Sequence, residues 1–336
     1  MPFAPPPLRV VELHKRYGTL RALDGVSMEV PAGSIYGFLG LNGAGKTTTL
    51  ECSLGLLRAD SGESHVLGYP SSRIHEARGR IGVVFDAANL HGHLSVLANL
   101  EICRHYVNLR EGRGPREALR LVGLDSVPDR KARKLSFGMS RRLAIARALL
   151  GRPELVIMDE PLSGLDTEGV DTVLDIIRRL NREDGTTFVL CSHRLHEMQT
   201  ICRHVGLIHA GRLVAQGPLA ELLESEKTVL RLRAQPLEEV AAFLAHHPAV
   251  ESTTSSGDGT LFTRLRDGGG ARLNAELVGQ GFAVSEITPV RTSLDEYFRR
   301  RTRAGGEAPQ GASLSETAAH GMAPANVPEN QKGGTA

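Results

Sequence analysis

The sequence contains no tryptophan, and only 4% of its residues are aromatic. Its four cysteines are scattered, and no two of them form a CxxC pair. This pattern excludes a disulfide framework and is typical of a protein in a reducing compartment. The formal net charge is only +2, from 40 Lys and Arg against 38 Asp and Glu. Such a balance excludes a nucleic-acid-binding protein that acts through bulk positive charge.

Long apolar segments are absent as well. No run approaches the roughly 18 apolar residues that a membrane-spanning helix needs, and the opening MPFAPPPLRV lacks the layout of a signal peptide. We therefore expect a soluble, cytosolic protein that reaches a membrane only through another chain. With 336 residues, the chain is long enough for about two domains.

Residues 8–224 alternate short apolar runs with helical patterns, which predicts an α/β domain with a mainly parallel core sheet. Continuous apolar runs favour strands that are buried on both faces. The clearest such runs are SIYGFLG (34–40), LVIMDE (155–160) and TTFVLCS (186–192). The more alternating residues 13–30 predict antiparallel strands at one edge, and residues 89–134 predict a helical subdomain.

A second, smaller unit is predicted over residues 228–300. Its pattern is strand, helix, strand, strand, helix, strand, which indicates a small ferredoxin-like α+β sandwich. Gly257-Asp258-Gly259 predicts the hairpin between its two middle strands. This unit has no cluster of catalytic residue types. Residues 304–336 have almost no large apolar side chains, which predicts a disordered tail.

The segment GLNGAGKT (40–47) matches the phosphate-binding loop GxxxxGKT, and it lies between an apolar strand and a helical run, as that motif requires. Its glycines allow the backbone N–H groups to face one centre. We expect Lys46 to reach the β- and γ-phosphates and the Thr47 hydroxyl to ligate Mg²⁺. The alternative is a glycine-rich turn with Lys46 on the surface. The residues predicted to bind the nucleotide here are Asn42, Gly43, Ala44, Gly45, Lys46, Thr47 and Thr48.

Two carboxylates end the apolar run LVIMDE. Consecutive strand residues point to opposite faces, so we expect Asp159 and Glu160 to have different roles. Asp159 is predicted to hold Mg²⁺, and Glu160 to orient and deprotonate the attacking water. The alternative is a pair of solvated acids. It is disfavoured because Pro161 stops the strand, and an open parallel sheet has its site at the carboxyl ends of the strands.

Four more motifs accompany the phosphate loop. They are HKRYGTL with Tyr17, LSFGM (135–139), SGLD (163–166) and SHRLHEM with His193. In this order the set resembles the ATP-binding cassette (ABC) family over about residues 8–220, and chance does not explain the order well. The resemblance implies a P-loop NTPase fold and an ATPase that uses ATP and Mg²⁺.

The resemblance also implies individual roles. Tyr17 would stack on adenine, and SGLD would be the D-loop that ends in Asp166. His193 would be the switch histidine that contacts the γ-phosphate, and with Glu160 it would form the catalytic pair. Two cassettes of this family close head to tail, so Ser136 and Gly138 of one copy would cap the γ-phosphate held by the other. Taken alone, LSFGM is also a helix start capped by Ser136, and His193 is also an ordinary strand-end histidine.

The downstream segment SHRLHEMQTICRHVGLIHAGRLVAQG and the later TSLDEYF resemble bacterial exporter-type cassettes, including the daunorubicin-resistance type. These cassettes pair with a separate membrane permease. We therefore expect a second copy of this chain and a permease as partners, no direct contact with nucleic acid, and a peripheral location on the inner face of the cell membrane. The cargo is not identified by the sequence.

Two other functions were weighed. A soluble cassette that acts on ribosomes or DNA is disfavoured by the single phosphate loop and by the lack of a basic linker, a coiled coil or a zinc insert. A binding-only module with an inactive site is disfavoured because Lys46, Asp159, Glu160 and His193 are all present.

The sequence departs from the family pattern at a few positions. Asp86 stands where the family usually has Gln, and a carboxylate offers a full charge and no donor. Asp86 is either a third Mg²⁺ ligand or a surface residue in a loop. Phe137 replaces the third residue of the signature and Leu41 a common proline, and neither change removes a reacting group. We predict that Phe137 packs rather than reacts.

Overall fold

The computed structural model describes residues 5–85, 89–107, 112–224, 229–266, 269–290 and 293–304. The tail predicted over residues 304–336 lies outside these ranges apart from Ala304, the last residue of a helix. The described residues form three sheets and three clusters of buried apolar side chains. None of the described helices is both long enough and apolar enough to cross a membrane.

The strands and helices are numbered in chain order. The strands are β1 (Leu8–Tyr17), β2 (Leu20–Val30), β3 (Ile35–Leu39), β4 (Ser61–Val66), β5 (Tyr69–Pro70), β6 (Ile81–Val84), β7 (Leu155–Asp159), β8 (Thr187–Ser192), β9 (His204–His209), β10 (Arg212–Pro218), β11 (Val229–Gln235), β12 (Val250–Ser255), β13 (Leu261–Leu265) and β14 (Ala283–Val290). The α-helices are α1 (Lys46–Ser53), α2 (Val96–Tyr106), α3 (Pro115–Leu121), α4 (Phe137–Ala148), α5 (Thr167–Asp184), α6 (Leu195–Ile201), α7 (Leu219–Glu224), α8 (Leu237–His246), α9 (Gly270–Gly279) and α10 (Leu294–Ala304). Short 3₁₀ helices cover Ser71–Ala77 and Ala132–Lys134.

The central sheet has the strand order β10-β9-β3-β8-β7-β6. Its neighbours pair in parallel, except β10, which is antiparallel to β9. Every residue of β3, β7 and β8 is buried. This confirms the prediction that the three continuous apolar runs form strands covered on both faces. The carboxyl ends of β3, β7 and β8 therefore meet at one edge of the sheet.

One face of the central sheet is covered by an antiparallel sheet with the order β2-β1-β4-β5. Phe38 and Val189 of the central strands share a core there with Leu8, Val26 and other apolar residues of this sheet and of α1. The alternating residues 13–30 thus form antiparallel strands, as predicted. The alternation fits a sheet with one face on the core and the other accessible to solvent.

Helices cover the opposite face. Leu39 and Leu190, which alternate in their strands with Phe38 and Val189, pack here against helices including α4 and α5. In α5, the residues Val173, Ile177 and Leu180 are at most 2% exposed, at the three-to-four-residue spacing of an amphipathic helix.

The residues after α7 form a sheet with the order β12-β13-β11-β14, with α8 and α9 following β11 and β13. The order of elements is the strand, helix, strand, strand, helix, strand pattern that the sequence predicts. This unit has its own apolar core, which includes Leu230, Val240 and Leu273. In the β12–β13 hairpin, Asp258 accepts hydrogen bonds from Thr260 and Ser256, and these hydrogen bonds lower the pKa of its carboxyl group.

The chain then returns to the first domain. Leu294, Tyr297 and Phe298 of α10 are 0%, 0% and 3% exposed, and they belong to the core that α4 and α5 share with the central sheet. The Phe298 ring meets the His209 ring edge-on at 6.3 Å between centroids. Gln199 Oε1, on α6, accepts a hydrogen bond from the backbone N–H of Leu294 at 3.0 Å. The TSLDEYF segment was grouped with the smaller unit by sequence, whereas its helix packs on the larger one.

Candidate functional site

The loop between β3 and α1 is built around two glycines. A Cβ at Gly40 would lie 2.4 Å from the backbone oxygen of Ile208, so no larger residue fits without a backbone shift. Gly45, the residue before α1, has φ 108°, a conformation that side chains rarely adopt. The loop therefore delivers the chain directly into the N-terminus of α1, whose first N–H groups have no partner within the helix and attract anions.

Lys46 is the first residue of α1, and its side chain is only 6% exposed. Its ammonium group donates hydrogen bonds to the backbone oxygens of Gly40 (2.8 Å) and Leu41 (3.2 Å). It also lies 3.7 Å from Glu160 Oε1. The positive charge of Lys46 is thus held inside the curve of the loop, beside a carboxylate from another strand.

The remaining loop residues take distinct positions. Asn42 and Gly43 are exposed, with Gly43 at φ 78°, whereas Ala44 is buried. The N–H of Ala44 donates to the backbone oxygen of Leu41 at 3.1 Å and closes the turn. Thr48 lies partly buried in the first turn of α1.

Thr47 and Asp159 lie together, although 112 positions separate them in the sequence. The Thr47 hydroxyl donates to Asp159 Oδ2 at 2.7 Å, and Asp159 is 4% exposed at the end of β7. A hydroxyl and a carboxylate are hard oxygen donors of the kind that Mg²⁺ binds. The donor set of this pair therefore fits Mg²⁺.

Glu160 does not continue the strand alternation. The strand β7 ends at Asp159, and Glu160 has φ 47°, in the left-handed region that costs a non-glycine residue about 1–3 kcal/mol. The Glu160 carboxylate lies near Lys46, the neighbour of Thr47, so the two acids contact adjacent residues of α1. The argument that the two acids point to opposite faces was wrong for this reason. Their contacts nevertheless differ, since Asp159 meets Thr47 while Glu160 meets other groups.

The last residue of β8, Ser192, and the residue after it, His193, contact the Glu160 carboxylate. His193 Nδ1 lies 2.9 Å from Oε1, and Ser192 donates its hydroxyl to Oε2 at 3.3 Å. The His193 side chain is 41% exposed, while that of Glu160 is only 17% exposed. Ser192 was not singled out from the sequence. Its position next to His193 at the end of a buried strand is the signal that could have found it.

The signature and D-loop residues lie in a different place. Ser136 caps α4 by accepting the N–H of Met139 at 3.2 Å, and Asp166 caps α5 by accepting the N–H of Gly169 at 3.0 Å. Ser136, Gly138 and Asp166 line one cavity of about 410 Å³, and the described lining includes neither Lys46 nor Glu160. Within one chain, these predicted site residues are therefore grouped with each other and not with the phosphate loop.

Phe137 lies between these two motifs. A Cβ at Gly164, in the D-loop, would lie 2.7 Å from Cε1 of Phe137, which shows how closely the ring covers that glycine. The side chain of Phe137 is still 57% exposed. Tyr17, at the end of β1, is 48% exposed, and Lys15 Nζ lies 5.6 Å from the centre of its ring. Both aromatic side chains thus remain about half exposed, although Lys15 lies over the Tyr17 ring and Phe137 covers Gly164.

Cys191, on β8, is the nearest thiol to the acidic residues. Its backbone oxygen accepts the N–H of Glu160 at 2.9 Å. Burial raises the pKa of the Cys191 thiol well above its usual value, and the Asp159 charge raises it further. The thiol therefore stays protonated and contributes packing rather than nucleophilic chemistry. Asp86, the other predicted Mg²⁺ ligand, lies outside the described residues.

The chain is similar to known proteins. A family model described as "ABC transporter" matches residues 23–163. The bacitracin transport ATP-binding protein BcrA of Bacillus licheniformis is 33% identical over 87% of this chain and 95% of its own length. The daunorubicin/doxorubicin resistance ATP-binding protein DrrA of Streptomyces peucetius is 36% identical over 87% of this chain and 92% of its own. The structure of cbiO1 from Clostridium perfringens, part of the ABC transporter complex cbiONQ, covers 73% of this chain and 96% of its own with 28% identity and a TM-score of 0.58.

Proposed function

This chain belongs to the ATP-binding cassette family of ABC transporters, and from that premise we propose that it powers export through a separate membrane permease. It binds ATP and hydrolyses it. The observation that supports the ATPase mechanism in this proposal is the contact between the ends of β7 and β8 and the start of α1. There Thr47 meets Asp159, and Glu160 meets both Lys46 and His193.

The phosphate loop and Lys46 bind the nucleotide. Backbone N–H groups of the loop and of the first turn of α1 donate to phosphate oxygens. The Lys46 ammonium, which now donates to two backbone oxygens of the loop, donates instead to the β- and γ-phosphates. Tyr17 offers its exposed ring to adenine.

Thr47 and Asp159 are the residues that would hold Mg²⁺. When bound there, Mg²⁺ neutralises the charge that develops on the phosphate oxygens. Thr47 would contribute its hydroxyl and Asp159 its carboxylate, the two groups that the structure holds together. The place of Asp86 as a third ligand stays a prediction.

Glu160 acts on the attacking water. Its carboxylate accepts a proton from the water as the oxygen attacks the γ-phosphorus atom and the bond to the β-γ bridging oxygen breaks. His193 and Ser192 hold the two carboxylate oxygens and fix their orientation. Fixing the base in this way avoids reorganisation during the reaction.

A second copy of the chain completes the site. Ser136 and Gly138 open α4, so a copy that approaches head to tail would present a helix N-terminus to the γ-phosphate held by its partner. Asp166 of the D-loop lines the same cavity and would meet the partner beside it. This arrangement requires ATP at the interface, so the dimer forms when ATP is bound.

The export role rests on the relatives. BcrA is a bacitracin transport protein and DrrA a drug resistance protein, and both align with 87% of this chain. That length reaches beyond the cassette over 8–224, so the match includes at least part of the smaller unit, which we assign to residues 228–300. The relatives favour this role over the alternative of a soluble cassette that acts on ribosomes or nucleic acid. The permease holds the chain on the inner face of the membrane.

The test of this function removes the base. Glu160→Gln keeps the shape of the side chain, but it replaces one acceptor oxygen with an NH2 group and removes the charge, so the side chain cannot accept the proton. We expect ATP affinity to persist, hydrolysis to slow by about 10²- to 10⁴-fold, and ATP-bound dimers to accumulate in size-exclusion chromatography. Glu154→Gln is the matched control, since Glu154 precedes the same strand and pairs with Arg80 on the surface. Near-normal hydrolysis by Glu160→Gln would contradict the assigned role.

A further inference from the structure

Arg141 is a buried cation that the proposed mechanism does not use. It lies on α4, the helix that opens with the signature, and it is 1% exposed. A guanidinium group away from water is costly unless its N–H groups are bonded. The described partners of Arg141 include four backbone oxygens from two strand ends.

Three of these oxygens belong to the end of β7. Nε donates to the backbone oxygen of Pro161 at 3.3 Å, and Nη2 donates to those of Asp159, at 3.4 Å, and Glu160. These residues include the one that turns into the left-handed conformation. Arg141 therefore binds the backbone at the point where the chain leaves the strand.

The fourth oxygen belongs to a different strand. Nη1 donates to the backbone oxygen of Phe85 at 3.0 Å, immediately after β6. The next residue on α4, Arg142, differs in this respect, since it donates to the backbone oxygens of Val122 and Gly123 in the helical region. Of these two arginines, Arg141 joins the signature helix to the ends of β6 and β7.

Glu160 is consequently held at both ends. Its carboxylate contacts His193 and Ser192, and its backbone oxygen is bonded to Arg141. The planar fork of a guanidinium fixes the relative position of its acceptors better than a single ammonium does. A shift of α4 would move the backbone of Glu160 and hence its carboxylate.

We propose that Arg141 is a positioning residue for Glu160, and that it transmits the position of the signature helix to the carboxylate that activates water. The inference rests on the proposed role of Glu160 as the base. It accounts for a buried cation placed among the backbone oxygens of the site. A misplaced base slows hydrolysis without weakening ATP binding, so kcat and KM separate the two effects.

The first experiment compares three substitutions in the full chain. We expect Arg141→Gln, which keeps at most part of the hydrogen bonding, to lower kcat about 10²-fold and to change the KM for ATP less than about threefold. Arg141→Lys retains the charge but cannot span both strand ends, so its kcat should also fall, and it remains informative if the Gln variant does not fold. The control is Arg113→Gln. Arg113 is 4% exposed and binds Asp184 and the backbone oxygen of Leu149, away from the site.

For the control we expect a lower melting temperature and an unchanged kcat per folded molecule. The inference is overturned if the folded Arg141 variants keep the wild-type kcat, or if Arg113→Gln loses as much kcat as they do. If the kcat of the Arg141 variants falls only in proportion to their folded fraction, the role of Arg141 is purely structural and the inference is likewise overturned.

The second experiment tests whether Arg141 acts through Glu160. Single-turnover hydrolysis is measured for Glu160→Gln alone and with Arg141→Gln added. If Arg141 only positions the base, its loss has no further effect once the base is gone. An additional loss of about 10²-fold in the double variant would overturn the inference. Normal turnover by Glu160→Gln overturns the proposed function as well, whereas slow turnover there with normal Arg141 variants overturns the inference alone.

Discussion

In the phosphate loop, the residue type at a position depends on the space available for a side chain as well as on its chemistry. Gly40 faces the backbone oxygen of Ile208, and a methyl group at that position would clash with this oxygen. At Lys46, by contrast, the charge matters, since its buried ammonium contacts two backbone oxygens and a carboxylate. A substitution at Gly40 should therefore lower stability, whereas a substitution at Lys46 should weaken ATP binding.

Gly40→Ala should destabilise the fold. The added carbon would lie 2.4 Å from a backbone oxygen, and relieving such overpacking costs about 1–3 kcal/mol. Urea unfolding measures the loss. Gly279→Ala is the control, because nothing lies within 4 Å of a Cβ there, and its stability should be unchanged or slightly higher. Equal stabilities for the two variants would refute the close approach at Gly40.

Lys46→Ala should weaken ATP binding. Hydrogen bonds to charged groups contribute about 1.5–3 kcal/mol each, which corresponds to roughly 10- to 100-fold in affinity. Calorimetric titration with ATP measures the change, and the exposed Lys134→Ala serves as the control. Unchanged affinity in Lys46→Ala would sink the phosphate-loop assignment.

At the scale of elements, α10 connects the end of the smaller unit back to the cassette. The chain leaves the cassette after α7, forms the smaller unit, and returns through α10 to pack beside α6 and β10. The helix α6 begins two residues after His193, and Ser293 and Asp295 line the same cavity as His193. The return helix is thus part of the cassette core near the site.

Tyr297→Ala should therefore destabilise the cassette rather than the smaller unit. Removing a fully buried aromatic side chain costs about 3–5 kcal/mol. Thermal unfolding with and without ATP identifies the cassette as the transition that ATP raises, and Tyr297→Ala should lower that transition. Leu244→Ala, in the core of the smaller unit, should lower the other one. If Tyr297→Ala affects only the ATP-insensitive transition, α10 does not stabilise the cassette.

At the scale of the whole molecule, the described site is divided between two places. Lys46, Thr47, Asp159, Glu160 and His193 form one group, and the cavity lined by Ser136, Gly138 and Asp166 forms another. A head-to-tail dimer would bring the first group of one copy to the second group of the other. Phe137, exposed beside that cavity, would then meet the partner.

A mixture of two inactive variants tests this arrangement. Ser136→Arg blocks the cavity lined by Ser136, Gly138 and Asp166. Lys46→Ala damages the other group, which contains the phosphate loop. In a mixed dimer, one composite site carries both changes and the other carries neither, so up to half of the sites should be intact. ATPase activity of the mixture should exceed that of either parent. No rescue, with mixed dimers shown by differently tagged chains, would count against head-to-tail sharing.

Local patterns in the sequence predicted three strands of the central sheet and the residues Lys46, Thr47, Asp159 and Glu160 at their ends, whereas His193 came from the resemblance to the family. Continuous apolar runs predicted β3, β7 and β8, and parallel strands bring their carboxyl ends together whatever their distance in the chain. Thr47 and Asp159 are close because the loop after β3 leads into α1 at the edge of the sheet where β7 also ends. The alternating pattern of the edge strands and the element order of the smaller unit also follow from local periodicity.

The sequence could not determine the conformations and contacts that depend on packing. Glu160 was expected to follow the strand alternation, but it has a φ of 47°, and its backbone is hydrogen-bonded to Arg141 of α4 and Cys191 of β8, which are distant in sequence. Arg141 and Arg142 look alike as neighbours, and only the tertiary structure buries one of them against the strand ends. Likewise, the spacing of Leu294, Tyr297 and Phe298 marks an apolar helix face, but periodicity does not specify which core it enters. Local periodicity fixes secondary structure because it acts within a few residues, whereas the choice of a packing partner is made by the whole folded chain.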